Sequence, residues 1–199
     1  MSEKDFEQKR QSLQMEPEIE RFVFNLVSRL KSERIFASIE EKINSSKENW
    51  DIIARSMVGE IVKKVFQQSF PEEDVSKAVY VEGRGNPIEL FLGGFESRKS
   101  PYPLFGCLGI FPDIAILRPK RIMIELDNSG SPRQGRGGSR FKMALAKAAF
   151  GYMTGEWEYC FVFFHNRGGQ SIEPYLEGNK EKRILEKYFI DFHTKPFLF

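Results

Sequence analysis

Apolar residues recur every three to four positions at Ile19, Phe22, Phe24, Val27, Leu30, Ile35 and Ile39, which is the period of an amphipathic helix. Pro17 suits a first helical turn, and the polar residues 1 to 15 read as a frayed lead-in. The pattern predicts one long helix, or two helices broken near Ser32. Its first expected role is packing on a core, with a dimer interface or a DNA-facing arm as the alternative. After the polar stretch NSSKEN at 44 to 49, a further helix is predicted over 50 to 70. Ile52, Ile53, Ser56, Gly59 or Glu60, Lys63 and Phe66 outline its turns, Val58, Ile61, Val62 and Val65 add apolar area, and Pro71 ends it.

The spacing then changes to that of strands. AVYVEG at 78 to 83 and IELFLGG at 88 to 94 each read as one strand. GCLGIFPDIAIL (106 to 117) and IMIELD (122 to 127) read as two extended runs joined by a tight RPKR turn. The Gly/Ser/Arg loop 128 to 139 leads into RFKMALAKAAFGYM (140 to 153), rich in strong helix formers. EYCFVFFHN (158 to 166) is nearly continuously apolar and should sit centrally in a sheet. A last helix is predicted over 179 to 192, followed by the apolar tail PFLF. This order predicts an α/β fold: a mixed β-sheet flanked by helices, with an amino-terminal helical extension over 1–48 and a core over 49–199.

Composition narrows the class without naming the chemistry. With 199 residues, 41% hydrophobic and 29% charged, the chain can fold around one sizeable core. Thirty basic residues nearly balance 28 acidic ones, so any case for a nucleic acid must rest on where the charges sit. The amino terminus lacks the apolar stretch of a signal peptide, and no run of 18 apolar residues occurs. The expectation is a cytoplasmic protein without membrane contact. Cys107 and Cys160 lie in apolar surroundings and read as buried thiols rather than a disulfide, and His165 and His193 stand in no metal-binding spacing. No phosphate-binding Gly-rich loop followed by Lys and Ser or Thr is present.

The carboxylates change the picture. Asp113 opens one predicted strand and Glu125 lies near the end of the next, so antiparallel pairing can set them side by side. Glu125 and Asp127 share a face because strand residues two apart do, giving an apolar side and an acidic side. Carboxylates gathered in this way repel one another, which a divalent cation would relieve; oxygen ligands suit Mg2+ or Mn2+ better than zinc. The other reading of the same spacing is a turn cap at Asp113 and a solvated face carrying Glu125 and Asp127.

Pro112-Asp113, eleven residues, then Glu125-Leu126-Asp127 resembles the motif of the PD-(D/E)xK nuclease superfamily, the restriction-endonuclease-like fold. The resemblance covers roughly residues 50 to 170, with a helix before the motif and a helix and strand after it. It implies Asp113 and Glu125 as principal metal ligands, the Leu126 carbonyl as a further oxygen, and Glu60 as an outer or second-metal ligand. The family's usual third signature residue is lysine, and this sequence has Asp127 there. Asp127 would bind a second metal, accept a hydrogen bond from the attacking water, or mark lost catalysis. Some members recruit a lysine from the next helix, for which Lys142 is the first candidate and Lys147 the second.

Between Asp127 and Glu156 no acidic residue occurs, while Arg133, Arg136, Arg140, Lys142 and Lys147 do. Guanidinium groups can grip phosphates bidentately, so this stretch is the foremost candidate for nucleic-acid contact, an ordinary basic loop being the alternative. Arg84, Arg98 and Lys99 lie in turn-rich loops as weaker candidates, and Tyr102, Phe105 and Phe111 are aromatic residues that either stack on bases or fill the core. Arg118, Lys120 and Arg121 fall at the opposite end of the motif hairpin and read as a structural turn. His165 and Asn166 end the central strand, and a structural hydrogen bond suits His165 better than the role of base.

The resemblance therefore implies a Mg2+-dependent endonuclease, with Mn2+ as a possible substitute, cutting double-stranded DNA. A type II restriction endonuclease acting as a homodimer fits best, its interface supplied by the amino-terminal helices or the PFLF tail. The alternatives are a structure-specific repair or mobile-element nuclease, and a catalytically silent nuclease-fold protein that binds nucleic acid.

Overall fold

The computed structural model describes residues 15–46, 48–82, 112–128, 137–153, 155, 157–166 and 179–199, without the side chains of 137–139 and 179–181. The chain begins with helices α1 (Pro17–Ser32), α2 (Ile35–Ser45) and α3 (Trp50–Ser69), then a short α4 (Val75–Ala78) and strand β1 (Val79–Val81). Strands β2 (Ile114–Ile116) and β3 (Ile122–Asn128), helix α5 (Gly137–Met153), strand β4 (Tyr159–His165), helix α6 (Asn179–Phe192) and strand β5 (Thr194–Leu198) follow. The amino-terminal apolar stripe resolves into two helices: Arg34 takes a left-handed conformation with φ 50° and breaks the run just past Ser32. The strand expected at 88 to 94 and the first half of the run at 106 to 117 lie outside the described residues.

Among the described residues the strands form one sheet in the order β1-β2-β3-β4-β5. The first two pairings are antiparallel and the last two parallel, which makes the sheet mixed, as expected. The parallel step from β3 to β4 requires a crossover, and α5 supplies it. The PFLF tail is not loose: it belongs to β5, which pairs in parallel with β4, Val162 lying opposite Pro196 and Phe163 opposite Phe197. This leaves β4 interior, between β3 and β5. Among the described residues β5 is the last strand of the sheet, a place that suits Pro196, which has no N–H to donate.

Alternation along the strands divides the core into two layers. Val79, Val81, Ile114, Ile116, Ile122, Ile124, Leu126, Phe161 and Phe163 face α1, α2 and α3, whose Phe22, Leu26, Ile39, Val62 and Phe66 complete one cluster. Ala115, Met123, Cys160, Val162 and Phe164 face Phe141, Leu145 and Ala148 of α5, with Leu185 and Tyr188 of α6 packed against them. The amino-terminal helices therefore belong to the same hydrophobic cluster as α3 and the sheet. Both faces of β4 are buried, which explains its nearly unbroken apolar run.

Close backbone approach fixes the heights of two helices. A Cβ on Gly59 would lie 2.6 Å from Cγ2 of the buried Val81, so α3 can sit this near β1 only without a side chain there. Gly59→Ala should destabilise the fold by roughly 1–2 kcal/mol, overpacking outweighing the helix-propensity gain. Urea denaturation would check it, and a variant as stable as the parent would contradict the close approach. At the far end of the β2-β3 hairpin, Lys120 joins Glu16 at 2.8 Å and Glu158 at 3.2 Å, so the turn residue Lys120 ties elements together there. No described helix is long and apolar enough to cross a membrane.

Candidate functional site

The register brings three carboxylates into a row. Ile114 lies opposite Ile124, so the next pair outward is Asp113 and Glu125. The Glu82 N–H donates to the Asp113 carbonyl at 2.9 Å, extending the β1-β2 ladder by one step beyond Val81 opposite Ile114. Directly opposed residues of antiparallel strands share a face. Glu82, Asp113 and Glu125 thus occupy adjacent strands on the side covered by α5. Asp127 follows two residues after Glu125 on that face.

This face is not the open acidic surface that the strand alternation suggests. Helix α5 lies over it, and Glu125 is only 4% exposed. Cations from two helices approach the row. Lys147 Nζ donates to Glu125 Oε2 at 2.5 Å, Arg140 Nη1 stands 4.0 Å from Asp127 Oδ1, and Arg55 of α3 pairs with Glu82 while its Nε lies 3.9 Å from Asp113 Oδ1. The Leu126 N–H donates to Asp113 Oδ2 at 2.7 Å. Glu125 Oε1 is buried without a hydrogen-bond partner.

These contacts follow from local sequence. Arg140, Ala144 and Lys147 fall at i, i+4 and i+7, one stripe of α5, so Arg140 stands over Asp127 and Lys147 over Glu125. Buried Ala144 and Ala148, with Gly151 whose added Cβ would meet Met123 Sδ at 2.6 Å, let that stripe run close to β3. On α3, Arg55 precedes Gly59 by one turn, so the close contact of Gly59 with Val81 carries Arg55 to the neighbouring Glu82.

Electrostatics mark the row as unusual. Burial pushes Asp113 up to about 6, with the Leu126 N–H, Lys147 and Arg55 pulling the other way. Burial pushes Glu125 up to about 8, opposed by Lys147 and reinforced by the nearby Asp113. Burial also raises Asp127, against the Asn128 N–H and Arg140. Two buried acids side by side with one oxygen unsatisfied form an arrangement that a bound cation would relieve.

The other residues singled out in the sequence divide three ways. Lys147, the second lysine candidate, meets Glu125, whereas Lys142 is exposed on α5, about 140° around the helix from Lys147. Glu60 is 52% exposed and lies 3.8 Å from Lys63, on a different side of α3 from Arg55, so it does not join the row. The Leu126 N–H, rather than its carbonyl, is what meets Asp113, at Oδ2. Arg133, Arg136, Arg84, Arg98, Lys99, Tyr102, Phe105, Phe111 and Cys107 lie outside the described residues. His165 serves structure: its Nδ1 meets the Phe199 carbonyl at 3.1 Å and its ring stacks on Phe36. Cys160 is buried and unpaired in a disulfide, and burial pushes its thiol up, away from reactivity.

Sequence reasoning missed Glu82 and Arg55. The alternation Val79, Tyr80, Val81, Glu82 does set Glu82 on the side opposite the two valines, but only the pairing of β1 with β2 brings it beside Asp113. Among the described residues no group of three or more His, Cys, Asp or Glu is disposed to hold a metal ion. The oxygens available to a cation are those of Asp113, Glu125 and the Leu126 carbonyl. That small set fits Mg2+, which keeps several waters and is commonly held by one or two carboxylates plus substrate phosphates. No family model matches this chain, and no curated protein and no solved structure matches it either.

Proposed function

We propose that this protein is a Mg2+-dependent DNA endonuclease of the restriction-endonuclease-like fold, hydrolysing phosphodiester bonds of double-stranded DNA, with a type II restriction activity as the leading form. The observation that carries this reading is the convergence of Asp113, Glu125 and Lys147. Two carboxylates face each other across the β2-β3 hairpin, Glu125 Oε1 is buried without a partner, and a lysine from the following helix sits on Glu125 at 2.5 Å. The charge that Asp127 cannot supply comes from α5. Mn2+ would substitute for Mg2+ with the same ligands.

Asp113 and Glu125 would hold the cation together with the Leu126 carbonyl. When bound, that ion supplies Lewis acidity toward a phosphoryl oxygen and lowers the pKa of a water. Lys147 would orient the attacking water and offset negative charge that grows on the phosphoryl group during in-line attack. Arg140 stands 4.0 Å from Asp127, in the first turn of α5, where it can meet a backbone phosphate. In this reading Asp127 holds Arg140 rather than a second ion.

The test is incubation of the full chain with plasmid and phage DNA in Mg2+ and in EDTA, beside Asp113→Ala. The expected result is discrete fragments that require Mg2+ and are lost in Asp113→Ala. Intact duplex DNA under every condition, with cutting of branched or mismatched oligonucleotides, would replace the restriction assignment with a structure-specific one. Binding without cutting of any substrate would sink the enzymatic reading altogether.

A further inference from the structure

The Arg55–Glu82 pair has no part in the motif described above, yet it adjoins Oδ1 of Asp113, the oxygen that the Leu126 N–H does not occupy. Asp113 Oδ2 accepts from the Leu126 N–H at 2.7 Å, and Oδ1 is the oxygen on the side of Arg55. Arg55 Nε lies 3.9 Å from that Oδ1, beyond hydrogen-bond range. Two contacts hold the guanidinium back: its Nη1 pairs with Glu82 Oε2, and its Nε donates to the Asp51 carbonyl at 3.1 Å. Beside the carboxylate row, Glu125 Oε1 is buried without a hydrogen-bond partner even though Lys147 holds Oε2, and a bound cation would satisfy it.

We propose that Glu82 is a positioning residue that restrains Arg55, keeping Asp113 Oδ1 open to a divalent cation instead of letting the guanidinium occupy it. The inference rests on the metal-binding reading of Asp113 and Glu125, and adds to it a competition between a resident arginine and the ion. An arginine swung onto Asp113 would form a charge-assisted hydrogen bond at the metal's own oxygen. With Glu82 in place, the same guanidinium instead stands off as a fixed positive charge near the site, where a substrate phosphate would meet it. Glu82 therefore acts through Arg55, not as a ligand.

The experiment is Mn2+ binding by electron paramagnetic resonance on the full chain, without DNA, for the parent, Glu82→Gln, Arg55→Gln, the double variant and Asp113→Asn. Glu82→Gln should weaken Mn2+ binding about tenfold, a modest fraction of what unit charges some 4 Å apart exert in protein. Arg55→Gln should bind at least as tightly as the parent, and the double variant should recover to that level. A metal-ligand role for Glu82, or a purely structural one, would leave the double variant weaker than Arg55→Gln by the same factor that separates Glu82→Gln from the parent, and that result overturns the proposal. Unchanged binding in Glu82→Gln overturns it as well. If Glu82→Gln does not fold, weaker binding in Arg55→Gln alone is sufficient to reject the competition. Parent binding that is lost in Asp113→Asn upholds the metal site whatever the outcome for Glu82, whereas no binding in any protein rejects both.

Discussion

Replacing Lys147 with methionine should slow DNA cleavage by about 10²–10³-fold, while Lys142→Met should stay within about threefold of the parent; the larger loss is typical of removing one preorganised positive partner from a developing negative charge. The contrast follows from the geometry of α5. Lys147 Nζ sits on Glu125 at 2.5 Å, whereas Lys142 projects from an exposed part of the same helix. Methionine keeps the length and apolar stem of lysine, so Ala144 and Ala148 can retain their packing against β3. Glu125 then lacks its counter-charge and stays protonated to higher pH, a change felt by the site rather than by the sheet. Single-turnover rates at saturating protein and Mg2+ separate loss of chemistry from loss of DNA binding. A dead Lys142→Met beside an active Lys147→Met would remove the assignment of the helix lysine and with it the main support for the proposed chemistry.

The same helix shows where sequence reasoning gave out. Asp113 and Glu125 were legible as neighbours because a short turn between two apolar runs leaves little freedom in register: once Ile114 faces Ile124, Asp113 must face Glu125. Choosing between Lys142 and Lys147 required the angular setting of α5, which depends on Ala144, Ala148 and Gly151 meeting β3. Small residues read as good helix formers or as breakers; their role in a close approach appears only against a partner surface. Glu60 failed to join the site for a related reason. Which face of α3 meets β1 is set by Gly59 against Val81, and that face carries Arg55, not Glu60.

The larger architecture was legible to the extent that period and length are local properties. The amino-terminal stripe, the helix after NSSKEN, the Ala-rich α5 and the apolar β4 all announced themselves by spacing. Two features did not. The tail after α6 is too short for periodicity to assign, and it shows itself as a strand in its pairing with β4. The acidic side of β3 alternates as a half-solvated strand would, but the crossover from β3 to β4 lays α5 over it and buries Glu125. Alternation tells which residues share a face; it does not tell what covers that face.

That burial has a thermodynamic consequence, and the second large effect expected is an inverted response of stability to pH in the absence of divalent ions. Asp113 has its ionisation raised from 3.8 to about 6 and Glu125 from 4.5 to about 8, both chiefly by burial. A group whose pKa is higher in the folded than in the unfolded chain binds its proton more tightly when folded. Its contribution is complete below the unfolded value and is lost as pH climbs through the folded one. In EDTA the protein should therefore be most stable below about pH 4 with respect to these two groups, and should weaken from there up to about pH 6 on account of Asp113 and on up to about pH 8 on account of Glu125. The combined loss is on the order of 5 kcal/mol, the opposing pull of Lys147 and Arg55 being already contained in those shifts, a large part of the stability of a typical domain. Glu125→Gln removes the buried charge while keeping its shape, so this variant should melt several degrees above the parent near pH 8 in EDTA and lose that advantage near pH 5. Mg2+ should raise the melting temperature of the parent near pH 8 by binding the folded state, and should leave Glu125→Gln almost unmoved. Calorimetry at the two pH values with and without Mg2+ reads all of these at once; a Glu125→Gln protein no more stable than the parent near pH 8 would mean that Lys147 already compensates Glu125 in full and that no further cation is required there.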